Sequence, residues 1–259
     1  MKFFRAYYGR YDSYFLRINM LLSRKAILRH YKEGAVVIDP FDERKLKTTS
    51  YDVSLGEWFW REGHPEGRAT LHNLYDEAST RRVWRGPYQA EGAWDVSQRL
   101  NLELKNIKPD DKVVLLKPGE TILAHTEEFI GGRHKIVAKM YARSSMGRNF
   151  VEVCKDAGWG DIGYFNRWTM EVTNNSQYFT IPLVVGRRIG QMVFYEVEPI
   201  ESTDYVGEGG KYQRSQDISE VKRTWHPEMM IPQMHKDWEI KEQNPQATTV
   251  VFHEQIKKI

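Results

Sequence analysis

The feature that most constrains the fold is a series of short apolar segments, each closed by a turn signal. These segments are rich in Val, Ile and aromatic residues, and several of them alternate polar and apolar side chains, as half-buried strands do. The segments cover residues 112–126, 135–142, 168–174, 179–186 and 188–199, and the first contains the turn signal Pro118-Gly119. The pattern predicts a mostly β fold.

A short helix is predicted near the start of the chain. In "SRKAILRHYKEG", Ser23 is suited to cap a helix, Ile27 and Tyr31 lie one helical turn apart, and Gly34 is suited to end it. A strand follows in "TTSYDVSLGEWFW", and Gly56 predicts a turn directly after its alternating part.

We interpret residues 1–259 as a single domain with three segments that depart from the strand pattern. Residues 1–22 form an N-terminal extension that mixes charged and aromatic side chains. Residues 60–98 are rich in Gly, Pro and charge and form an insertion. Residues 205–259 are predicted to be a flexible flap and C-terminal extension that is mobile without a partner.

Composition excludes several classes of protein. The single cysteine, Cys154, cannot form an internal disulfide framework or a Cys-rich zinc site, which is typical of a reducing compartment, and we expect a cytoplasmic location. No apolar run reaches the roughly 18 residues of a membrane span, so no membrane partner is expected. The net charge of +3 comes from 38 basic and 35 acidic residues, so nucleic acid is not expected as a partner, whereas an anionic small substrate is compatible.

Chemically useful side chains concentrate between residues 142 and 175. In "TMEVTNN", strand alternation places Met170 and Val172 on one face and Thr169 and Glu171 on the other. Glu171 is then either a solvated residue of an outer face, as most charged residues are, or a carboxylate that faces a pocket.

The stretch "RSSMGR", from Arg143 to Arg148, allows two interpretations as well. Its paired serines and its guanidinium groups could hold phosphate oxygens or a polar heterocycle. The alternative is a turn with ordinary surface arginines.

Zinc-dependent hydrolysis is not supported by the motifs. The pattern H-x-E begins at His64, His125 and His226, but no P-C-x-x-C follows any of them. H-E-x-x-H, the phosphate-binding G-x-x-x-x-G-K-[ST] and the G-x-S-x-G elbow are also absent from the sequence. We therefore expect no zinc and no other protein-bound transition metal.

Several linked motifs resemble one family. "ARSSMGR", then "AGWGDIGYFNRWTMEVTNN" and "GRRIGQMVFYE", are similar to the dCTP deaminase branch of the dUTPase-like family, whose pattern is RSS-[LM]-[GA]-R, AG-x-x-D-x-G-[FY], T-L-E-L-x-N and G-x-x-IGQ-L-x-F. The resemblance extends upstream through "EGAVVIDPF" and "LLKPGETILAHTEEFI" and downstream to "GKYQ". It covers residues 23–60 and 99–216, in the family's order.

The resemblance implies a fold and a reaction. The fold would be a dUTPase-like distorted β-barrel or jelly roll with a short N-terminal helix, assembled into a homotrimer with active sites at subunit interfaces. The reaction would be the zinc-independent hydrolysis of dCTP to dUTP and ammonia. Glu171 matches the general acid and base, and Ser144 and Arg148 match residues that position water and stabilise charge at C4 of the pyrimidine. Arg143 and Ser144 match residues that approach the triphosphate.

Further site residues follow from the same resemblance. Asp161 matches the aspartate that contacts the 3′-hydroxyl of deoxyribose and that serves pyrophosphate release in bifunctional relatives, and the backbone of Thr169 matches a reader of the base edge. Tyr205, Lys211 and Gln216 match a flap that closes on the triphosphate. Mg²⁺ would be carried by the triphosphate, with no metal site in the protein.

The sequence also departs from the family pattern. Gly160 and Ile162 flank Asp161 where the family has Ile and Pro, and Cys154 stands where many deaminases have His. The tail has Ser215 at the position of the family's glutamine, with Gln216 one step later.

Three functions stay open at this point. The first is a dCTP deaminase that forms dUTP. The second is a dUTP diphosphatase or a bifunctional enzyme that forms dUMP and pyrophosphate. The third is a non-catalytic nucleotide sensor or nucleic-acid binder, which the basic, aromatic N-terminus and the altered tail suggest.

Overall fold

A computed structural model describes residues 20–67, 70–200 and 203–243. Most of the N-terminal extension, two residues of the insertion and the last part of the C-terminal extension therefore lie outside the described residues. No helix within the described ranges is both long and apolar enough to cross a membrane.

Thirteen strands and six α-helices make up the described chain, and the prediction of a mostly β fold is confirmed. The strands are β1 (Met20–Leu21), β2 (Val36–Asp39), β3 (Tyr51–Glu62), β4 (Trp84–Gln89), β5 (Glu91–Gly92), β6 (Lys112–Leu116), β7 (Thr121–Gly132), β8 (Ile136–Ala142), β9 (Val151–Val153), β10 (Trp159–Gly160), β11 (Phe165–Asn174), β12 (Ile181–Val184) and β13 (Arg188–Glu196). The helices are α1 (Arg24–Lys32), α2 (Glu77–Val83), α3 (Ala93–Leu100), α4 (Ser144–Gly147), α5 (Ile218–Thr224) and α6 (Trp238–Gln243). Short 3-10 helices lie at Glu43–Lys45, Pro227–Met230 and Met234–Lys236.

Two antiparallel sheets organise the strands. The larger sheet runs in the order β10-β8-β13-β3-β7-β11-β9, with β1, β2 and β4 paired onto its members. The smaller sheet has the order β12-β6-β5. The main core lies between them and is built from apolar side chains of both, including Ile122, Met170 and Phe194 of the larger sheet and Leu116 of the smaller one.

Two local signals near the start of the chain have different outcomes. Helix α1 begins after Ser23, whose hydroxyl accepts a hydrogen bond from the backbone N–H of Ala26, and the chain turns at Gly34 with a φ of 76°. The turn predicted at Gly56 is wrong, because β3 continues through it. A Cβ on Gly56 would lie 1.9 Å from Cε1 of His125, so this glycine makes room for the histidine ring.

The insertion is largely regular structure. Strand β4 pairs with β3, so residues 84–89 extend the larger sheet. Helix α3 packs its buried Ala93 and Val96 against Val113 and Val184 of the smaller sheet. The insertion therefore adds material to both sheets instead of forming one long loop.

The C-terminal segment is packed against the sheet in this structure. Helix α5 contributes Val221 to a cluster with Phe129 and Phe165, and Gln213 is 1% exposed. The predicted flap is therefore packed against the larger sheet in this structure. Its mobility in the absence of a partner stays a prediction.

Candidate active site

Strand β11 presents two of the predicted site residues on one face. Glu171 pairs with Leu123 across the β7–β11 ladder, and Thr169 pairs with His125. Met170 and Val172 are fully buried on the opposite face, as the alternation predicts. The ladder shifts register between Arg167 and Thr169, which is where the part of β11 that carries the site begins.

Glu171 faces a cavity and not an open outer surface. The cavity has a volume of about 400 Å³ and brings together five of the residues singled out from the sequence. These five are Asp161, Thr169, Glu171, Tyr205 and Lys211. The remaining walls are mostly apolar or aromatic and come from Leu123, Ala157, Trp159, Gly160, Tyr164, Trp168, Tyr212, Met230 and Pro232.

The carboxyl group of Glu171 is largely buried and only partly satisfied by hydrogen bonds. Its Oε2 atom is buried and has no hydrogen-bond partner among the described residues. Burial raises the pKa of Glu171 above its ordinary value, and a hydrogen bond from its own backbone and, to a smaller extent, the positive charge of Lys155 oppose this in part. A raised pKa makes the carboxylate form of this group a stronger base.

Asp161 enters the cavity from the loop between β10 and β11. The indole N–H of Trp159 donates to its Oδ1 over 2.9 Å, and its backbone carbonyl accepts from the N–H of Tyr164 over 3.0 Å. Gly163 completes the loop with a φ of 91°, a conformation that side chains rarely adopt. The loop thus fixes an exposed carboxylate at the cavity rim.

The flap residues cover the cavity from the other side. The rings of Tyr205 and Tyr164 meet edge to face with centroids 5.1 Å apart, and the hydroxyl of Tyr205 accepts from the backbone N–H of Tyr212 over 3.1 Å. The ammonium group of Lys211 forms an ion pair with Asp237.

The arginine and serine motif lies elsewhere in the same copy of the chain. Arg143 is the N-cap of α4 and lines a second cleft of about 1020 Å³, whereas Ser144 and Arg148 are exposed and line neither cavity. This second cleft is basic, with Arg44, Lys45, Lys47, Arg187 and Arg188 among its lining residues. Within one copy of the chain, Arg143, Ser144 and Arg148 therefore do not line the cavity that contains Glu171.

Comparison with known proteins identifies the family. The family model described as dCTP deaminase-like matches residues 21–197. The chain belongs to the dCTP deaminase-like family. The resemblance noted from the motifs is therefore confirmed, and with it the assignment to enzymes of the deaminase and dUTPase type.

Individual relatives of the family are moderately similar to the chain. A protein of Dictyoglomus thermophilum named "dCTP deaminase, dUMP-forming" is 31% identical over 196 residues, which cover 74% of this chain and 89% of the relative. A protein of Methanobrevibacter smithii with the same name is 30% identical over 176 residues, 67% of this chain and 79% of the relative. The solved 2′-deoxycytidine 5′-triphosphate deaminase of Agrobacterium tumefaciens has a TM-score of 0.45 and 15% identity, and the match covers 70% of this chain but about half, 49%, of that chain.

Gln216 and Gln213 have different surroundings in this dCTP deaminase-like protein. The side chain of Gln216 donates to the carbonyl of Gly163 over 3.0 Å and does not line the cavity. Gln213 is more buried: it donates to the carbonyls of Gly163 and Ser215 and accepts from the N–H of Phe165. Gln213 is the last residue of the motif "GKYQ". The motif therefore marked Gln213, but the sequence prediction assigned the flap role to Gln216.

The apolar walls of the cavity were missed by sequence reasoning. Trp168 and Tyr164 belong to the family motif, but nothing in their type marks them as site residues. Met230 and Pro232 lie beyond the family match and carry no motif. Within the described ranges, no three His, Cys, Asp or Glu side chains form a group that could hold a metal ion.

Proposed function

We propose that this protein is a dCTP deaminase that releases ammonia from C4 of the pyrimidine. The observation that carries the proposal is Glu171, whose buried and unpartnered carboxyl oxygen lines a cavity together with Thr169, Asp161 and Lys211. Such an oxygen costs free energy unless a ligand or water satisfies it, which is typical of functional sites.

Glu171 is proposed to act as both base and acid. It accepts a proton from the water that attacks C4, delivers this proton to N3, and helps the amino group leave as ammonia, so that dCTP and water give dUTP and ammonia. Its raised pKa supports this role, because a carboxylate with a higher pKa is a stronger base towards the attacking water. No step of this scheme requires zinc.

The other cavity residues would bind the deoxynucleotide. Asp161 accepts a hydrogen bond from the 3′-hydroxyl, and the backbone of Thr169 reads the base edge. Tyr205 and Lys211 close on the triphosphate, where the lysine supplies a positive charge. Mg²⁺ would enter as part of the substrate, on the triphosphate oxygens.

A neighbouring copy of the chain is proposed to complete the site. Arg143, Ser144 and Arg148 are the residues expected to stabilise charge at C4 and at the phosphates, yet they lie away from Glu171 in a single copy. A homotrimer in which α4 of one subunit meets the cavity of the next would unite them. The basic cleft beside Arg143 supplies a surface of suitable charge for an anionic substrate.

The end product is proposed to be dUMP, the second of the products that the sequence left open. Two relatives at 30–31% identity are named as dUMP-forming, and Asp161, the residue expected to serve pyrophosphate release, lines the cavity with Glu171. In that case dCTP and two waters give ammonia, dUMP and pyrophosphate.

Product analysis tests both parts of the proposal. The purified protein is incubated with dCTP or dUTP and Mg²⁺, and the nucleotides are separated by ion exchange. We expect ammonia and dUMP from dCTP. Accumulation of dUTP that is never cleaved would restrict the enzyme to deamination, and release of no ammonia would refute the proposal. Glu171→Gln is the control for the site and should release none.

A further inference from the structure

The C-terminal extension contributes directly to the wall of the cavity that contains Glu171. We name residues 225–237 the cap segment; they lie beyond the family match, which ends at residue 197. Met230 and Pro232 of the cap segment line the cavity. A segment of the chain beyond the family match therefore contributes to the cavity.

Met230 lines the same cavity as Glu171 and packs in a cluster with the cross-strand neighbour of Glu171. It is 3% exposed and belongs to a small apolar cluster with Trp60, Leu123 and Ile231. Leu123 is the direct cross-strand partner of Glu171, and directly opposed side chains of an antiparallel pair lie on the same face. Met230 thus packs against the residue that borders Glu171.

Several contacts fix the cap segment in this position. The indole N–H of Trp60 donates to the carbonyl of Pro227 over 3.0 Å, and the backbone N–H of Gln233 donates to the hydroxyl of Tyr212 over 3.1 Å. At its start, Trp225 stacks with the guanidinium of Arg167 at 4.6 Å and lies 4.6 Å from the ring of His125. These contacts hold the segment by its ends and its middle.

The insertion supports the cap segment from outside. Trp84 of β4 packs against the cluster that contains Met230, and His235 lies 3.6 Å from the carboxylate of Glu77 on α2. The two segments without a family counterpart therefore contact each other, and together they place Met230 and Pro232 at the cavity.

We infer that Met230 and Pro232 set the size of the substituent that the enzyme accepts at C5 of the pyrimidine. The inference rests on the proposed function. Because Glu171 acts at C4 and N3, the ring atom next to C4 on the other side, C5, is directed to a wall beside Glu171. Met230 and Pro232 line the same cavity as Glu171, and their side chains carry no hydrogen-bond donors, so the wall that they form is suited to selecting a substituent by its size.

The test compares dCTP with 5-methyl-dCTP in the full-length protein. The kcat/KM for ammonia release is measured with each nucleotide for wild type, Met230→Ala and the milder Met230→Val. A single methyl group in an apolar pocket changes kcat/KM by about tenfold or more. We therefore expect Met230→Ala to raise the ratio of kcat/KM for 5-methyl-dCTP to that for dCTP by about tenfold, and Met230→Val to raise it less.

Ile231→Ala is the matched control, since Ile231 is buried in the same cluster and is not among the residues that line the cavity. It should lower the melting temperature as Met230→Ala does, with an unchanged ratio. If wild type releases ammonia but the ratio is the same in wild type and both Met230 variants, the inference is wrong and the proposed function still stands. If wild type releases no ammonia, the proposed function fails, and tryptophan fluorescence titrations with the same nucleotides decide the inference. An unchanged ratio of dissociation constants in Met230→Ala would then reject it.

Discussion

The ammonium group of Lys211 pairs with the carboxylate of Asp237, so the flap and the C-terminal extension neutralise each other's charge at the edge of the cavity. The two side chains are 30% and 29% exposed, and Lys211 also lines the cavity itself. If Lys211 binds the triphosphate as proposed, the triphosphate competes with Asp237 for this lysine.

Removal of the competing carboxylate should favour the triphosphate. For Asp237→Asn we expect the KM for dCTP to fall about two- to fivefold, because a partly exposed ion pair is worth ~0.5–1 kcal/mol. Initial rates over a range of dCTP concentrations measure this change. Glu239→Gln is the control, since it removes the same charge from α6 two residues further along. A KM that rises in Asp237→Asn would mean that the pair assists binding.

The pH dependence of the free energy of unfolding should reveal the raised pKa of Glu171. Because burial raises the folded-state pKa of Glu171 above its ordinary 4.5, the native state holds this proton more tightly than the unfolded state. The free energy of unfolding therefore decreases as the pH rises from 4.5 through the raised pKa. Glu171→Gln cannot lose that proton, so we expect it to become progressively more stable than wild type over the same interval.

Chemical unfolding at a series of pH values measures this difference. Glu152→Gln is the matched control, because Glu152 is exposed on β9, the other neighbour of β11. A constant difference between wild type and Glu171→Gln across the interval would show that the carboxyl group is not perturbed. Loss of deamination in the same folded variant tests its catalytic role separately.

Local patterns in the sequence predicted the part of the site that one strand carries. Alternation in "TMEVTNN" was sufficient to place Glu171 and Thr169 on one face, but it could not decide between solvent and a pocket, because that depends on which distant segment covers the face. At Gly56 a local pattern gave a wrong prediction, because the strand continues where a turn was expected. The turn signal was a glycine that admits the ring of His125, a contact that no local pattern reveals.

A site shared between subunits predicts complementation by mixed variants. Glu171→Gln and Arg148→Ala are each expected to be inactive, since each lacks one half of every site. If each site joins two subunits, random reassembly of an equal mixture leaves about a quarter of the sites intact. We expect deamination to return to about that fraction after the two variants are unfolded together and refolded. Refolding each variant alone is the control, and an inactive mixture would place both residues in one subunit's site.

The cavity walls contributed by Met230 and Pro232 could not be predicted from the sequence. These residues lie at the cavity because contacts such as those of Trp60 with Pro227 and of Trp225 with Arg167 hold a segment that is far along the chain. Each anchor is a contact between residues that are far apart in the sequence, and no local pattern indicates which residues will meet. A motif search detects residues whose spacing is constrained by chemistry, and an apolar wall imposes no such spacing.

The two tail glutamines should differ in their effect on stability. Gln213 is 1% exposed and its amide makes three hydrogen bonds to backbone groups, two of which belong to Gly163 and Phe165. Gln213→Ala removes the acceptor of the buried N–H of Phe165, whereas the carbonyl of Gly163 keeps its hydrogen bond from Gln216. We therefore expect a loss of about 1–3 kcal/mol in the free energy of unfolding. Gln216→Ala removes one partly buried side-chain hydrogen bond and should cost less, about 0.5–1.5 kcal/mol. Urea unfolding of both variants at one pH measures the two losses in the free energy of unfolding. A larger loss for Gln216→Ala would contradict this prediction and show that Gln216, the residue suggested by the family resemblance, is the one that holds the flap.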